Sequence, residues 1–245
     1  MSVTGELTYQ RVLLKLSGEA LAGDSGAGID PEKAAYIAQR VREVYELGMQ
    51  VAIVIGAGNL WRGEPAAKLG MDRSTADHMG MIATVMNGLL LQDAIERLGI
   101  VTRVQTAVEM NSIAEPYIRL RAIRHLEKGR VVILTGGIGS PYFTTDSAAA
   151  LRASEIHADV IVKATKVDGV YSADPLRNPD AQRYSRLDYR QVLDQQLRVM
   201  DTTAFTLCQE NAMPIVVLDF WNPQDLVKAL SGDASVGTLI AGRAD

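Results

Sequence analysis

Apolar residues in this chain alternate between short continuous runs and longer stretches where they recur every three or four positions. Val12, Leu13, Leu14, Lys15 and Leu16 form the first run, a short buried strand closed by Ser17 and Gly18. A glycine-rich loop from Gly23 to Gly28 follows. Asp30 then precedes Pro31 and Glu32, an N-cap with proline at the first helical position, and Ala34, Ile37, Ala38, Val41, Val44 and Tyr45 keep helical spacing up to Gly48. Val51 to Ile55 is the next strand, and it runs into Gly56-Ala57-Gly58-Asn59, too rich in glycine to continue either element.

The alternation continues to the end of the chain. A long helix is predicted over Ala76 to Leu98, opened by Asp77 and His78 and stopped by Gly99, with a strand over Val101 to Val104. Val131 to Leu134 is a strand ending in Thr135-Gly136-Gly137-Ile138-Gly139. Thr144 or Thr145 caps a helix with Asp146 in its first turn. Val160 to Val162 is a strand, Asp201 to Asn211 a helix, Ile215 to Leu218 a strand, Pro223 to Ser231 a helix, and Thr238 to Ile240 a last edge strand. The polar stretch from Asp174 to Arg190 reads as an excursion from the sheet. There is no internal repeat or linker. The pattern predicts an α/β fold, a three-layer α/β/α sandwich on a mostly parallel central sheet, forming one domain with two lobes.

Composition narrows the partners. With 47% apolar and 22% charged residues, the chain has the balance of a packed globular protein. Its net charge of −4 and pI near 5.5 give no global field favouring nucleic acid or an anionic membrane, so any positive charge for a phosphate substrate must be local. No run of about 18 apolar residues occurs, and Met1 to Gln10 lacks the apolar core of a signal peptide. The single Cys208 sits in an apolar helical stretch, reads as core and fits a reducing compartment. A cytoplasmic location is expected.

Ligands of open α/β sheets gather beyond the carboxyl ends of strands, where the glycine loops fall and where backbone N–H groups can approach phosphate oxygens. There is no G-x-x-x-x-G-K-[ST] and no G-x-G-x-x-G after the first strand, which argues against a P-loop kinase or a dinucleotide-binding dehydrogenase. Lys15 ends an otherwise apolar strand; burying it without an anion is costly, so its ammonium reaches solvent or meets a phosphate. Arg62, after the second glycine loop, is a surface arginine or a bidentate phosphate ligand. Asp77 and Asp146 each read as an acid complementing a helix dipole or as an active-site acid. His78 packs or caps rather than binding metal, and no histidine has ligand spacing. Asp201 caps a late helix or belongs to the active site.

The order of motifs is more specific than any one of them. Lys15-Leu16-Ser17-Gly18-Glu19-Ala20-Leu21, Gly58-Asn59 with Arg62-Gly63, Asp77-His78-Met79-Gly80-Met81, Phe143-Thr144-Thr145-Asp146-Ser147-Ala148-Ala149, Lys163-Ala164-Thr165-Lys166-Val167-Asp168-Gly169-Val170-Tyr171 with Ala173-Asp174-Pro175, and Gly237-Thr238-Leu239-Ile240 follow one another. Together they resemble the bacterial UMP kinases of the amino-acid-kinase superfamily, from about Arg11 to Ile240. The resemblance implies phosphoryl transfer from Mg-ATP to UMP, with Mg²⁺ brought by the nucleotide. It implies ATP contacts at Lys15, Leu16, Ser17, Gly18, Gly58, Arg62, Thr165, Tyr171 and Asp174. It implies a UMP site at Ala57, Asp77, Ile138, Gly139, Ser140, Pro141, Tyr142, Phe143, Thr144 and Thr145, with Asp77 on the ribose hydroxyls. Lys15, Arg62 and Asp146 are the implied catalytic group, Asp146 orienting Lys15 or a metal-bound water. The chain departs from the resemblance at Ala57, where three successive glycines are usual, and in the loop from Thr135 to Ser140. The resemblance also implies a homohexamer activated by GTP and inhibited by UTP, with Gly23, Asp24, Ser25, Gly26, Ala27 and Gly28 in the GTP-linked loop. The alternatives are a carboxylate kinase of the same superfamily and a non-catalytic nucleotide sensor or storage protein.

Overall fold

The computed structural model describes residues 8–242 apart from 24–25, 176, 179 and 198, so Asp24 and Ser25 of the implied GTP-linked loop lie outside the described residues. Its strands are β1 (Arg11–Leu16), β2 (Gln50–Ile55), β3 (Thr102–Thr106), β4 (Glu115–Pro116), β5 (Val131–Thr135), β6 (Val160–Thr165), β7 (Val170–Tyr171), β8 (Arg183–Tyr184), β9 (Arg186–Leu187), β10 (Ile215–Asp219) and β11 (Thr238–Ile240). Its helices are α1 (Pro31–Glu46), α2 (Gly63–Lys68), α3 (Arg73–Glu96), α4 (Arg119–Glu127), α5 (Thr145–Glu155), α6 (Tyr189–Asp194), α7 (Thr202–Glu210) and α8 (Asp225–Leu230).

Among the described residues, nine strands form one sheet in the order β4-β3-β5-β2-β1-β6-β10-β11-β9. All its pairs are parallel except β10 with β11. The polar excursion is real: β7 and β8 form a separate antiparallel hairpin. It returns through β9, which pairs in parallel with β11. The last strand is therefore not the edge that its sequence suggests. The two-residue β9 covers it and is too short to show any periodicity.

The parity of the strands divides the interior. Val12, Leu14 and Leu16 of β1 and Val160 and Val162 of β6 share a core with residues of α1, α3 and α8. Leu13 and Ile161 face the other way, into a core with residues of α4, α5, α6 and α7. Successive strand side chains point to opposite faces, so Lys15 and Lys163 emerge on the α5 side. Cys208 is buried there on α7, and burial pushes its thiol up to about 12. It is a core residue, as its apolar setting predicts.

Two helix starts differ from the sequence reading by two residues or more. The carboxylate of Asp72 accepts the Thr75 N–H (2.8 Å) and caps α3 at Arg73, so Asp77 and His78 lie in the second turn and do not open the helix. The apolar pattern begins only at Ala76 because the first turn is polar. At the other end of the chain, α8 begins at Asp225 after Gln224 in a left-handed conformation, not at Pro223. Helices α2 and α6 are six residues each, too short for a repeat of apolar positions, and α4 buries only Ala122 and Leu126.

One buried side chain ties α3 to the loops that follow β1 and β2. Asn87 has no exposed surface, and its amide donates to the Gly56 carbonyl (2.8 Å) and to Asn59 Oδ1 (2.8 Å). Asn59 in turn donates to the Gly28 carbonyl at 2.8 Å. Asn87→Ala would strand two buried acceptors, at a cost of roughly 1–3 kcal/mol. We expect a melting temperature lower by on the order of 5 °C in a thermal scan; an unchanged melting point would show that water replaces the amide.

Candidate active site

Three charges define the centre of the site. In the parallel register of β1 and β6, Lys15 is directly opposite Lys163. Asp146 comes between them from the first turn of α5. Lys15 Nζ is 2.5 Å from Asp146 Oδ1, and Lys163 Nζ is 2.9 Å from Oδ2. Lys163 also donates to the Val199 carbonyl. Lys15 is thus neither free in solvent nor dependent on a phosphate for its counter-charge: it is 9% exposed and paired with a carboxylate. Lys163 is the residue that the sequence reading missed, although Val160-Ile161-Val162-Lys163 repeats the signal that singled out Lys15, a lysine ending an apolar strand.

Burial pushes the Asp146 carboxyl up, but the ammonium groups of Lys15 and Lys163 outweigh it and hold the acid below the usual carboxylate range. Lys163 is shifted down because burial, reinforced by the Lys15 charge, outweighs its attraction to Asp146. Lys15, Lys163 and Asp146 sum to +1, a setting that favours a further anion, although the nearby Asp201 carboxylate also attracts Lys163 and offsets part of that excess.

The start of α5 is fixed twice. Thr144 is its N-cap, accepting the N–H groups of Asp146 (3.0 Å) and Ser147 (3.2 Å). Asp201 accepts hydrogen bonds from Thr144 Oγ1 and Ser147 Oγ, and caps α7 through the Ala204 N–H at 3.0 Å. Asp201 is therefore both a cap and a tether holding Asp146 in place.

Two glycine loops meet beside this cluster. A Cβ on Gly18 would lie 2.6 Å from Gly58 N and 2.7 Å from the Gly56 carbonyl oxygen, so the approach of the loops requires glycine there. Ser17 caps the turn from Gly18 to Leu21. Leu16 is fully buried, so only its backbone is near the site. Ala57 is buried without the positive φ that would penalise its methyl group, and the departure from three glycines costs no backbone strain. Arg62 is half-exposed and pairs with Glu19 at 2.5 Å, beside Gly58.

A cavity opens on each side. One, of about 150 Å³, is lined by Ala57, Asp77, Ile138, Ser140, Phe143, Thr144 and Thr145 of the sequence-predicted set, and also by Trp61, Met81 and Thr84. Gly139, Pro141 and Tyr142 belong to the same loop but do not line it. The other, of about 460 Å³, is lined by Lys163, Thr165, Tyr171 and Asp174 together with Gln195 to Leu197. Lys163 lines the larger cavity, and Thr144 and Thr145, next to Asp146, line the smaller, so the charges lie between them. A third cavity, of about 480 Å³, runs past Glu19, Gly23, Gly26, Lys33, Arg62, Lys166 and Trp221. Gly28 donates its N–H to the Asn59 carbonyl (2.9 Å), which pins Gly28 against the glycine loop after β2.

The amino acid kinase family matches residues 10–219, and the chain belongs to that family. It is similar to the crystal structure of UMP kinase from Bacillus anthracis, with 40% identity and a TM-score of 0.93 over 96% of this chain and 97% of that one. UMP kinase from Ureaplasma parvum is 38% identical, with a TM-score of 0.89 over 95% of this chain and 98% of that one. Uridylate kinase from Archaeoglobus fulgidus is 32% identical, with a TM-score of 0.70 over 94% and 99%.

Asp146→Asn would leave two buried ammonium groups without their counter-charge. Breaking such a group costs about 3–5 kcal/mol, and denaturant unfolding at pH 7 measures it. Because the folded acid is below its unfolded value near 3.9, its contribution is present above that pH and is lost as pH falls through the folded value. The variant should lack that acid-range step, and adding Lys15→Met should restore part of the stability at pH 7. A variant as stable as the parent would contradict the coupling.

Proposed function

We propose that this chain is a UMP kinase, transferring the γ-phosphoryl group of Mg-ATP to UMP to give UDP and ADP. The observation that carries the reading is the net-cationic Lys15–Asp146–Lys163 cluster between two cavities, in a chain similar over nearly its whole length to UMP kinases. The larger cavity, with Thr165, Tyr171 and Asp174, takes the ATP nucleoside, and Lys15, Ser17, Gly18, Gly58 and Arg62 attend its phosphates. Leu16 contributes through its backbone alone. The smaller cavity takes UMP between Ala57, Asp77 and the loop from Ile138 to Thr145. In domain terms, the first lobe holds the acceptor and the second the donor.

Phosphoryl transfer of this kind needs alignment and charge neutralisation, with little covalent chemistry from the protein. Lys15 and Lys163 are placed to neutralise the moving group. Asp146 keeps both ammoniums in position and is no strong base; the attacking UMP phosphate is already an anion and needs none. Mg²⁺ fits here as an ion carried by ATP. Among the described residues no group of three His, Cys, Asp or Glu is arranged to hold a metal alone, and the ion would supply charge neutralisation on the phosphates beside Lys15 and Lys163. Arg62 exchanges its exposed pairing with Glu19 for a phosphate.

The proposal extends to a cytoplasmic homohexamer in pyrimidine nucleotide synthesis, activated by GTP through the loop from Gly23 to Gly28 and inhibited by UTP. No feature favours a carboxylate acceptor or a non-catalytic protein.

The test is ADP release with Mg-ATP and, in parallel, UMP, CMP, dUMP, acetylglutamate and aspartate. We expect turnover with UMP and a fall of about two to three orders of magnitude in kcat for Lys15→Ala, the scale of losing one charge-stabilising donor. Turnover with a carboxylate would replace the acceptor assignment, and nucleotide binding without turnover would remove the kinase reading. Light scattering, with activity measured at added GTP and UTP, tests the assembly and its regulation; a monomer indifferent to both would refute that extension.

A further inference from the structure

The carboxylate of Asp77 does not stand alone in the smaller cavity. Arg73, one turn earlier on α3, directs its Nε at both oxygens, 2.9 Å from Oδ1 and 2.8 Å from Oδ2. The Tyr142 N–H donates to Oδ2 at 2.8 Å, and the Tyr142 ring centroid lies 5.8 Å from the Arg73 guanidinium carbon. Tyr142 holds a left-handed φ of 72°, a conformation that disfavours a side chain. On the opposite side, a Cβ on Gly63 would fall 2.6 Å from Oδ1. An aspartate carboxylate turns in a broad torsional well when unrestrained. Here an arginine and a backbone amide fix one orientation, Gly63 leaves room for it, and the Asp77 side chain is 14% exposed.

We propose that Arg73 is the positioning residue for the acceptor's sugar: by holding Asp77 in this orientation and the loop of Tyr142 against α3, it sets discrimination between a ribonucleotide and a deoxyribonucleotide. The inference rests on the assignment of Asp77 to the ribose hydroxyls. A carboxylate aimed at a hydroxyl pair binds it well only in a narrow range of orientations, and a site built to bond a hydroxyl rejects the analogue that lacks it. Arg73 itself touches no reacting atom. Its loss should weaken acceptor binding and selectivity and leave the transfer step in place.

The experiment compares Arg73→Met, Arg73→Lys, Arg73→Gln and Asp77→Asn in steady-state kinetics with UMP and dUMP, alongside calorimetric titration of each nucleotide without ATP and a melting temperature for every variant. For Arg73→Met we expect the KM for UMP to rise roughly tenfold, as for a weakened charged hydrogen bond. The preference for UMP over dUMP should shrink by a similar factor, with kcat and the KM for ATP little changed. Arg73→Lys, which restores one contact by a point charge, should fall between parent and Met. Arg73→Gln carries the same test if the Met variant is insoluble. If Asp77→Asn loses the preference and the Arg73 variants keep it, Arg73 has no positioning role and the Asp77 assignment stands. If Asp77→Asn keeps the preference, Asp77 does not read the sugar and the inference falls with that assignment. A change confined to melting temperature, or one that moves the ATP and UMP constants together, would make Arg73 a structural residue only.

Discussion

One carboxylate shared by two buried ammonium groups is the constraint on which the rest of the site depends. β1 and β6 are neighbours in register, so Lys15 and Lys163 emerge side by side, on strands about 4.8 Å apart. Without Asp146 they would repel each other in a poorly solvated place. With it, the cluster is stable and still one positive charge in excess. Lys163 carries the residual tension: burial and its neighbour depress it despite Asp146. Under the proposed function an incoming phosphate would lower that tension, so the arrangement that is costly in the free protein would favour a polyanion.

The apolar sheet and the polar site are one construction. Asn87, fully buried on α3, satisfies the Gly56 carbonyl and Asn59, and Asn59 reaches Gly28, so α3 and the loops after β1 and β2 share one hydrogen-bonded anchor. Gly18 then lets the loop after β1 touch the loop after β2. Against this rigid part, the Arg62–Glu19 pair is the movable one. Both side chains are about half exposed, at 56% and 46%, and such pairs contribute at most about 1 kcal/mol. The Arg62–Glu19 contact therefore breaks with little loss.

Much of this was legible in the sequence where a residue's role follows from local pattern. The buried strands β1, β2, β5, β6 and β10 are continuous apolar runs, α1 has marked ends, and Lys15 is conspicuous as a lysine at the end of such a run. What escaped depended on pairing or on polar turns. Lys163 carries the same mark as Lys15, but its partnership follows only from the β1–β6 register. Asp72-Arg73-Ser74-Thr75 opens α3 without an apolar residue, which hid both the cap and Arg73, and made Asp77 look like a helix-start acid. The covering of β11 by β9 rests on two residues of backbone pairing, and no side-chain pattern announces it. Asp201 was ambiguous for a different reason: the carboxylate that caps α7 also accepts from Thr144 and Ser147 at the start of α5, and no local pattern shows that second contact.

The division of labour follows from where the seam falls in the sheet. The residues lining the smaller cavity lie between positions 57 and 145, and those lining the larger between 163 and 217. Between them stands the β1–β6 pair, which carries both lysines. A slip of one residue in that pairing would turn Lys15 or Lys163 to the opposite face and bury a charge among the apolar residues of the other core. Leu13 and Ile161, two residues before the lysines and on the same face, oppose that slip because they are fully buried among α5 and α7 residues. The packing that holds the sheet in register therefore also keeps the charges of the site in register, and the core cannot be repaired by a shifted strand without losing the chemistry.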